Sequence, residues 1–373
     1  MRLFKIRKLL RFITIYGIGR TLNKAFGRLR FVLPFSLSFK KIPDTGLIGC
    51  GQFAFSTICY FLRKLRGNHF STAFDIEPIA ANSLVDFYGF RAVANSADEV
   101  IQNPNINYLY IASNHASHSD YAVKGLLAGK AVYVEKPIAV THEQFKALLD
   151  ARQKCENRLF AGYNRPYSKA VRTLKAKFQF EKLHAQNTGF TLSYFINGHV
   201  LASDHWYRKP EEGTRICGNV GHWLDLSIHI LAWRSIPEQF NIQIAYSDEQ
   251  EFDENLTISI TTELKDLITI TLTARKEPFE GISESINLQY DSLIARIDDF
   301  RRMQYWFGDQ TRRFRYFPKD VGHKRAISQP FLPKEQVRDF EEVILSTALM
   351  LKITDLVRQR ATQGYFSSNI SQH

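Results

Sequence analysis

Cysteine is scarce: four in 373 residues (Cys50, Cys59, Cys155, Cys217), scattered and without paired spacing. That argues against a disulfide framework and a cysteine-based zinc site, and it fits a reducing, cytoplasmic compartment. Long apolar runs are missing too. No uncharged stretch reaches the roughly 18 residues that span a bilayer. No small-residue cleavage site follows an apolar core near the N-terminus, so a secretory signal is not expected. Internal repeats are absent. Acids are missing from residues 1–43, which hold eleven of the 49 Lys and Arg; the other 38 face 37 Asp and Glu. The formal charge of +12 therefore belongs to an appendage on an electrically balanced body, and nucleic acid is not expected as a partner. Within the appendage Leu3, Ile6, Leu10 and Ile13 fall at helical spacing among basic residues. Such a segment suits peripheral contact with an anionic inner membrane face. The alternatives are a disordered basic tail, or a helix packed on the body or on a partner subunit.

What is present is ordinary in bulk, 45% hydrophobic and 23% charged, but the length exceeds what one core usually serves, so two domains are expected. From Thr45 the chain reads TGLIGCGQFAFSTICYF. A short apolar strand (Leu47, Ile48) meets Gly49-Cys50-Gly51-Gln52-Phe53-Ala54, and helical spacing follows. This is the G-x-G-x-x-A form of the dinucleotide fingerprint. Gly49 permits the tight turn, Gly51 lets the backbone approach a pyrophosphate, Ala54 keeps the helix close to the sheet, and the helix N-terminus faces the phosphates. A strand then ends in Asp75, 24 residues after Gly51, at the separation expected for the carboxylate that binds the adenosine ribose. No Arg or Lys follows until Arg91, so nothing local would hold a 2′-phosphate; NAD is expected rather than NADP. The competing role for Asp75 is a helix cap before Glu77-Pro78.

Residues 111–139, IASNHASHSDYAVKGLLAGKAVYVEKPIA, read as strand, loop, helix, strand. His115 and His118 lie in the loop, Tyr121, Val123, Leu126 and Leu127 carry the helical spacing, and Gly129 stops it. A β-branched run at 131–134 ends in Glu135-Lys136-Pro137. Ligands of open parallel sheets sit off the carboxyl ends of the strands, which would place Lys136 in the ligand crevice; the plain alternative is a surface lysine before a strand-ending proline. The alternation of strands and helices predicts an α/β fold, a doubly wound parallel sheet of the Rossmann type. Its exit is Gly162-Tyr163-Asn164-Arg165-Pro166.

From Gly189 the pattern changes to long runs of β propensity, at 190–196, 240–246, 256–262, 267–274 and 286–290. They predict a C-terminal α+β domain with a large, mostly antiparallel open sheet. Between the first two lie Asp204-His205-Trp206-Tyr207 and a GNVGHWLDL segment, in which His222, Asp225 and His229 share a helical face. Residues 337–358 read as an amphipathic helix and the last dozen as a flexible tail. His115/His118 and His222/His229 lack a third ligand at suitable spacing, so no metal is expected. The resulting division is an extension at 1–43, a nucleotide-binding domain at 44–161, a second domain at 162–360 and a tail at 361–373.

Taken together, GLIGCGQFA, Asp75, His118, the EKP at 135–137, GYNRPYS at 162–168 and GHWLDL at 221–226 resemble the glucose–fructose oxidoreductase/inositol dehydrogenase/MocA family over residues 44–360. The stretch NGHVLASDHWYRKPEEGTRICGNVGHWLDL is most similar to members in bacterial surface-polysaccharide and sugar-nucleotide pathways. The resemblance implies reversible hydride transfer between a sugar or nucleotide-sugar carbon and nicotinamide. It also implies a homodimer or homotetramer formed through the C-terminal sheet. It assigns cofactor contacts to Gly49, Gly51, Gln52, Phe53, Ala54 and Asp75, to Ser113, Asn114, His115 and His118, and to Glu135, Lys136 and Pro137, with a cis bond frequent before the proline. Lys136 and His222 would be catalytic, the lysine either polarising the reacting hydroxyl or accepting its proton. Tyr163, Asn164, Arg165, His205, Trp206, Asn219 and Asp225 would lie on the substrate side. One departure stands out. Many relatives carry an acid four residues before the histidine, in D-x-G-x-H; here position 218 is Gly, the nearest polar group is Asn219, and the glycine has moved to 221. A catalytically weakened nucleotide-binding scaffold in a glycan-assembly complex is therefore the alternative.

Overall fold

The computed structural model describes residues 2–30, 40–155, 158–181, 188–248, 250 and 252–368. The chain divides into two compact units, one built from Ile18–Tyr163 and His323–Arg338, the other from Met1–Gly17, Asn164–Gly322 and Asp339–His373. The N-terminal extension contributes to both. Its helices α1 (Arg2–Tyr16) and α2 (Ile18–Leu29) part at Gly17, whose φ of 77° is open to glycine. Arg11 of α1 donates to Glu280 at 2.8 Å, and Lys319 N donates to Ile15 O at 2.8 Å, tying α1 to the second unit. Helix α2 buries Thr21, Asn23 and Gly27. Of the alternatives for this segment, packing on the body is the one seen for α2. No helix among the described residues is long and apolar enough to cross a membrane.

In the nucleotide unit six strands, β1 (Lys40–Ile48), β2 (Asn68–Phe74), β3 (Ala92–Val93), β4 (Tyr108–Ile111), β5 (Ala131–Val134) and β6 (Leu159–Ala161), form one parallel sheet. Their order is β3-β2-β1-β4-β5-β6. Strand order reverses between β1 and β4, so the loops after these two strands flank the switch point where such folds bind ligands. Helices α3 (Tyr60–Arg66), α4 (Pro78–Tyr88), α5 (Ala97–Gln102), α6 (His115–Leu127) and α7 (His142–Lys154) connect the strands. Ser96 and Thr141 cap α5 and α7 by accepting from Glu99 N and Gln144 N, each removing an unsatisfied donor from the first turn. All four residues of β5 are buried, as expected for a strand covered by helices on both faces.

The second unit opens with α8 (Lys169–Phe180), capped by Ser168. Its sheet has nine strands: β7 (Thr191–Asn197), β8 (Gln239–Tyr246), β9 (Leu256–Thr262), β10 (Leu267–Thr273), β11 (Ser283–Tyr290), β12 (Leu293–Asp298), β13 (Arg302–Phe307), β14 (Gln310–Arg315) and β15 (Gln363–Ser367). Their order is β14-β13-β12-β11-β7-β10-β9-β8-β15, and only the β7–β10 pair is parallel. Burial alternates along the strands, with Leu192, Tyr194 and Ile196 buried, Tyr194 OH accepting from Ser227 Oγ of α9 (Gly221–Leu231) at 3.1 Å, and the other face open; α9 packs on α11 (Phe340–Arg358). The short helix α10 (His323–Ile327) sits with the nucleotide unit. One expectation is corrected: Gln363–Ser367, read as part of a flexible tail, pairs with β8 as the sheet's last strand. The Ser- and Gln-rich composition concealed it because an edge strand needs only one ladder of backbone bonds and little apolar side chain.

Candidate active site

The glycine turn shows why its residues are what they are. Gly49 has φ 87°, and a Cβ there would stand 2.4 Å from Ala112 O and Ser113 N, so only glycine lets β1 exit beside the β4 loop. At Gly51 a Cβ would meet nothing within 4 Å; the backbone there borders open space, as a diphosphate requires. Ala54 is buried at the start of a π-helical turn (Ala54–Cys59) leading into α3, and Phe53 stands edge-on to His323 at 5.6 Å. Asp75 accepts from Cys50 N at 2.5 Å and from Glu77 N at 2.9 Å, one bond per oxygen. A carboxylate has about four acceptor sites, so the pinned group keeps capacity for two ribose hydroxyls; its bond to Glu77 N closes a turn before α4, whose N-cap, Glu77, has no side-chain cap bond. These residues fit a dinucleotide.

The exit of β5 is organised around Lys136. From Ala131 to Val140 it is the one side chain that is not buried, so the backbone is fixed by the core while the amine projects from the carboxyl edge of the sheet. The Lys136–Pro137 bond is cis. The neighbours assigned to the cofactor behave differently. Glu135 turns inward, accepting from Tyr133 OH at 2.8 Å, and a Cβ on Gly162 would lie 2.7 Å from its Oε2. His118 is 1% exposed, with Nδ1 2.8 Å from Pro137 O and Nε2 3.1 Å from Ser113 O; it braces two loops against each other and presents no nitrogen to a ligand. His115 is buried as well. Asn114, exposed at the start of α6, and Ser113, linked to Ser117 Oγ at 2.7 Å, remain accessible.

Two buried groups next to Lys136 carry opposite pH dependences. Burial pushes the His118 imidazole down to about 4, against its two carbonyl partners. Burial likewise pushes the Glu135 carboxyl up to about 7, against the Tyr133 hydroxyl and Lys136. The unfolded chain protonates its histidine near pH 6.5 and its glutamate near 4.3. His118 therefore costs stability as pH falls from about 6.5 toward 4, and Glu135 costs stability as pH rises from about 4.3 toward 7. Each slope reaches at most about 1.4 kcal/mol per pH unit, and the two oppose each other around pH 5–6. Glu135→Gln should accordingly gain on the native protein as pH rises from 5 to 8, read as the difference in Tm across that range. Parallel profiles would show that Glu135 is already ionised in the fold.

In the second unit Asn219 and His222 are the two partly exposed side chains between Arg215 and Leu231. They lie three apart where a π-helical turn (Ile216–Val220) enters α9. The displaced glycine has a packing cause: a Cβ on Gly221 would meet Met350 Sδ of α11 at 2.7 Å. Several residues expected on the substrate side are instead committed to the core. Arg165 donates Nε and Nη2 to the two oxygens of Glu284 at 2.8 and 3.0 Å and lies 4.6 Å over the Trp223 ring. Asn164 is buried and donates to Val321 O at 2.5 Å, and Asp225 accepts from Ser346 Oγ at 3.1 Å. Tyr163 is buried in the nucleotide unit. His205 and Trp206 stack at 5.9 Å in an accessible loop, and burial lowers the His205 imidazole. Sequence reasoning missed Arg30, whose guanidinium reaches the glycine turn; no local motif marks it. Among the described residues, no three His, Cys, Asp or Glu converge into a metal-ligating group.

Residues 44–163 match the model of the Gfo/Idh/MocA oxidoreductase family, described as an NAD-binding Rossmann fold. The inositol 2-dehydrogenase of Ralstonia nicotianae is 33% identical over 207 residues, 54% of this chain and 57% of that protein. That of Azotobacter vinelandii is 32% identical over 135 residues, 36% of this chain and 40% of that protein. The chain thus spans about half the length of these curated relatives. In fold it resembles levoglucosan dehydrogenase, solved with NADH and levoglucosan, at a TM-score of 0.70 and 16% identity over 87% of this chain and 98% of that one. A putative myo-inositol dehydrogenase from Sinorhizobium meliloti gives 0.68 and 17%, covering 87% and 99%. Through residues 44–163, which hold the glycine turn and the EKP segment, the chain is similar to the Gfo/Idh/MocA family of oxidoreductases.

Proposed function

We propose that the protein is an NAD-dependent oxidoreductase that exchanges a hydride with the hydroxyl-bearing carbon of a sugar, a polyol or a nucleotide-sugar. The observation that carries this reading is Lys136, alone in projecting from an otherwise buried segment at the same sheet edge as the open Gly51 turn. Bound NAD supplies the hydride acceptor. The rest falls to the chain. Gly49, Gly51 and Asp75 hold the diphosphate and ribose. The Lys136 ammonium polarises the substrate hydroxyl, or its free amine takes the proton. The family likeness gives His222, three residues after Asn219 in its own unit, the part of orienting substrate and relaying a proton. The likeness of residues 197–226 to members of surface-polysaccharide pathways supports a role in polysaccharide assembly. The experiment is NAD reduction followed by absorbance over a panel of polyols, free sugars and UDP-sugars. Glycine at 218, where many relatives carry an acid, supports the second reading, a nucleotide-binding scaffold; NADH binding without turnover on any substrate would favour it.

The open face of the nine-stranded sheet supports self-association. Phe195, Leu267 and Ile294 stand outward there, 50%, 43% and 43% exposed, separate apolar points on a face otherwise rich in Ser, Thr and Gln that a second copy would cover. Phe195→Asp should shift the protein toward monomer in light scattering after size exclusion. A mass unchanged by that charge would remove the sheet from the interface.

A further inference from the structure

The glycine turn is gripped from outside the family's own fold. Helix α2 precedes residue 44, where the family match begins, yet it lies against the turn. Arg30, just past its end, donates Nη2 to Cys50 O at 3.0 Å and Nη1 to Ser83 Oγ of α4 at 2.9 Å. Gln52 Nε2 donates to Lys24 O at 3.1 Å. Asn23 donates to Tyr88 OH at 2.8 Å, which in turn donates to Phe55 O at 2.6 Å. The approach depends on Gly27, where a Cβ would stand 2.7 Å from Phe55 and 3.0 Å from Gln52.

The consequence follows from peptide geometry. In a trans peptide the carbonyl and the following N–H point in opposite directions. With the Cys50 carbonyl drawn to Arg30, the Gly51 N–H is turned away from it, on the residue whose Cβ position is open. The preceding donor, Cys50 N, is already committed to Asp75. Nothing else among the described hydrogen bonds to the Cys50 carbonyl fixes this peptide. We propose that Arg30 is a positioning residue for the cofactor, holding the Cys50–Gly51 peptide with the Gly51 N–H presented to the diphosphate. The N-terminal extension is thereby part of the nucleotide site. This rests on the reading that the turn takes NAD.

The test uses the full-length chain with Arg30→Ala and Arg30→Lys, titrated with NADH and with ADP-ribose, which keeps the diphosphate and lacks nicotinamide. Hydrogen bonds to charged groups are worth enough that Arg30→Ala should weaken both ligands about tenfold. Arg30→Lys, still able to reach one carbonyl, should recover much of that loss. The Tm without ligand should change little, while the NADH-induced rise in Tm shrinks. Wild-type affinity in Arg30→Ala would overturn the inference. So would a loss that tracks a fall in the ligand-free Tm and that lysine does not rescue, since that is a structural role. Native protein that binds neither ligand would overturn the nucleotide reading itself, and the inference with it.

Discussion

On the proposed function, Lys136→Met should abolish turnover and leave NADH binding in place. The side chain is partly exposed and its backbone lies in a fully buried segment, so the substitution alters what the sheet edge presents and not how the sheet is built. Away from buried features such changes usually stay within about 0.5 kcal/mol of native stability. The chemistry is another matter. Methionine fills a similar volume but neither polarises an alcohol nor accepts its proton, and general acid–base assistance is worth about 10²–10⁴-fold. The contacts proposed for the diphosphate and ribose lie on the β1 turn and Asp75, on separate residues, so NADH affinity should hold within a factor of about three. The measurements are a fluorescence titration of NADH and the rate with the best substrate of the panel. A variant that binds NADH and still turns over near the native rate would remove Lys136 from the mechanism. Loss of binding and rate together would place it among the cofactor contacts instead.

The residues legible in the sequence are those whose role is set by their immediate neighbours. Gly49 was legible from the G-x-G-x-x-A pattern around it, although the backbone that excludes a Cβ there, at Ala112 and Ser113 after β4, lies far on in the chain, and the spacing to Asp75 records a strand and its turn. Lys136 was legible for the same reason, as the one charge ending a buried β-branched run. Other residues have structural partners far off in the chain, which no local pattern reports. Arg165 sits in a family motif, but its role is decided by Glu284, 119 residues away. By sequence alone His115 and His118 fall in a loop beside the cofactor; both lie instead in the first turns of α6, and only the fold reveals that the His118 ring nitrogens face Pro137 O and Ser113 O. Arg30 shows the same limit from the other side. The absence of a basic residue between Asp75 and Arg91 was read as the absence of local cation, yet α2 brings a guanidinium to the turn from 20 residues upstream of Cys50. Periodicity reports which face of a helix is apolar, and it is silent on what that face meets.

Arg165 gives the second large effect, and it separates the two roles offered for that residue. A substrate contact would answer to Arg165→Met with a raised KM and an unchanged Tm. The structure predicts the reverse. Both oxygens of Glu284 accept from Arg165, one of them also from Trp223 Nε1 at 2.7 Å, and the side chains of the pair are 9% and 4% exposed. Removing the guanidinium leaves the carboxylate buried with a single neutral donor. Breaking such a pair from one side costs about 3–5 kcal/mol, because the surviving charge keeps its desolvation penalty without its partner. In a unit of this size that corresponds to a fall in Tm of roughly 6–20 °C. The double variant Arg165→Met/Glu284→Gln should recover part of the loss, since the orphaned charge is gone while Trp223 keeps an acceptor; the coupling between the two sites is the quantity to read. A single variant that melts with the native protein but needs far more sugar to saturate would return Arg165 to the substrate. Additive losses in the double variant would mean that the arginine stabilises through its packing on Trp223 and not through the ion pair.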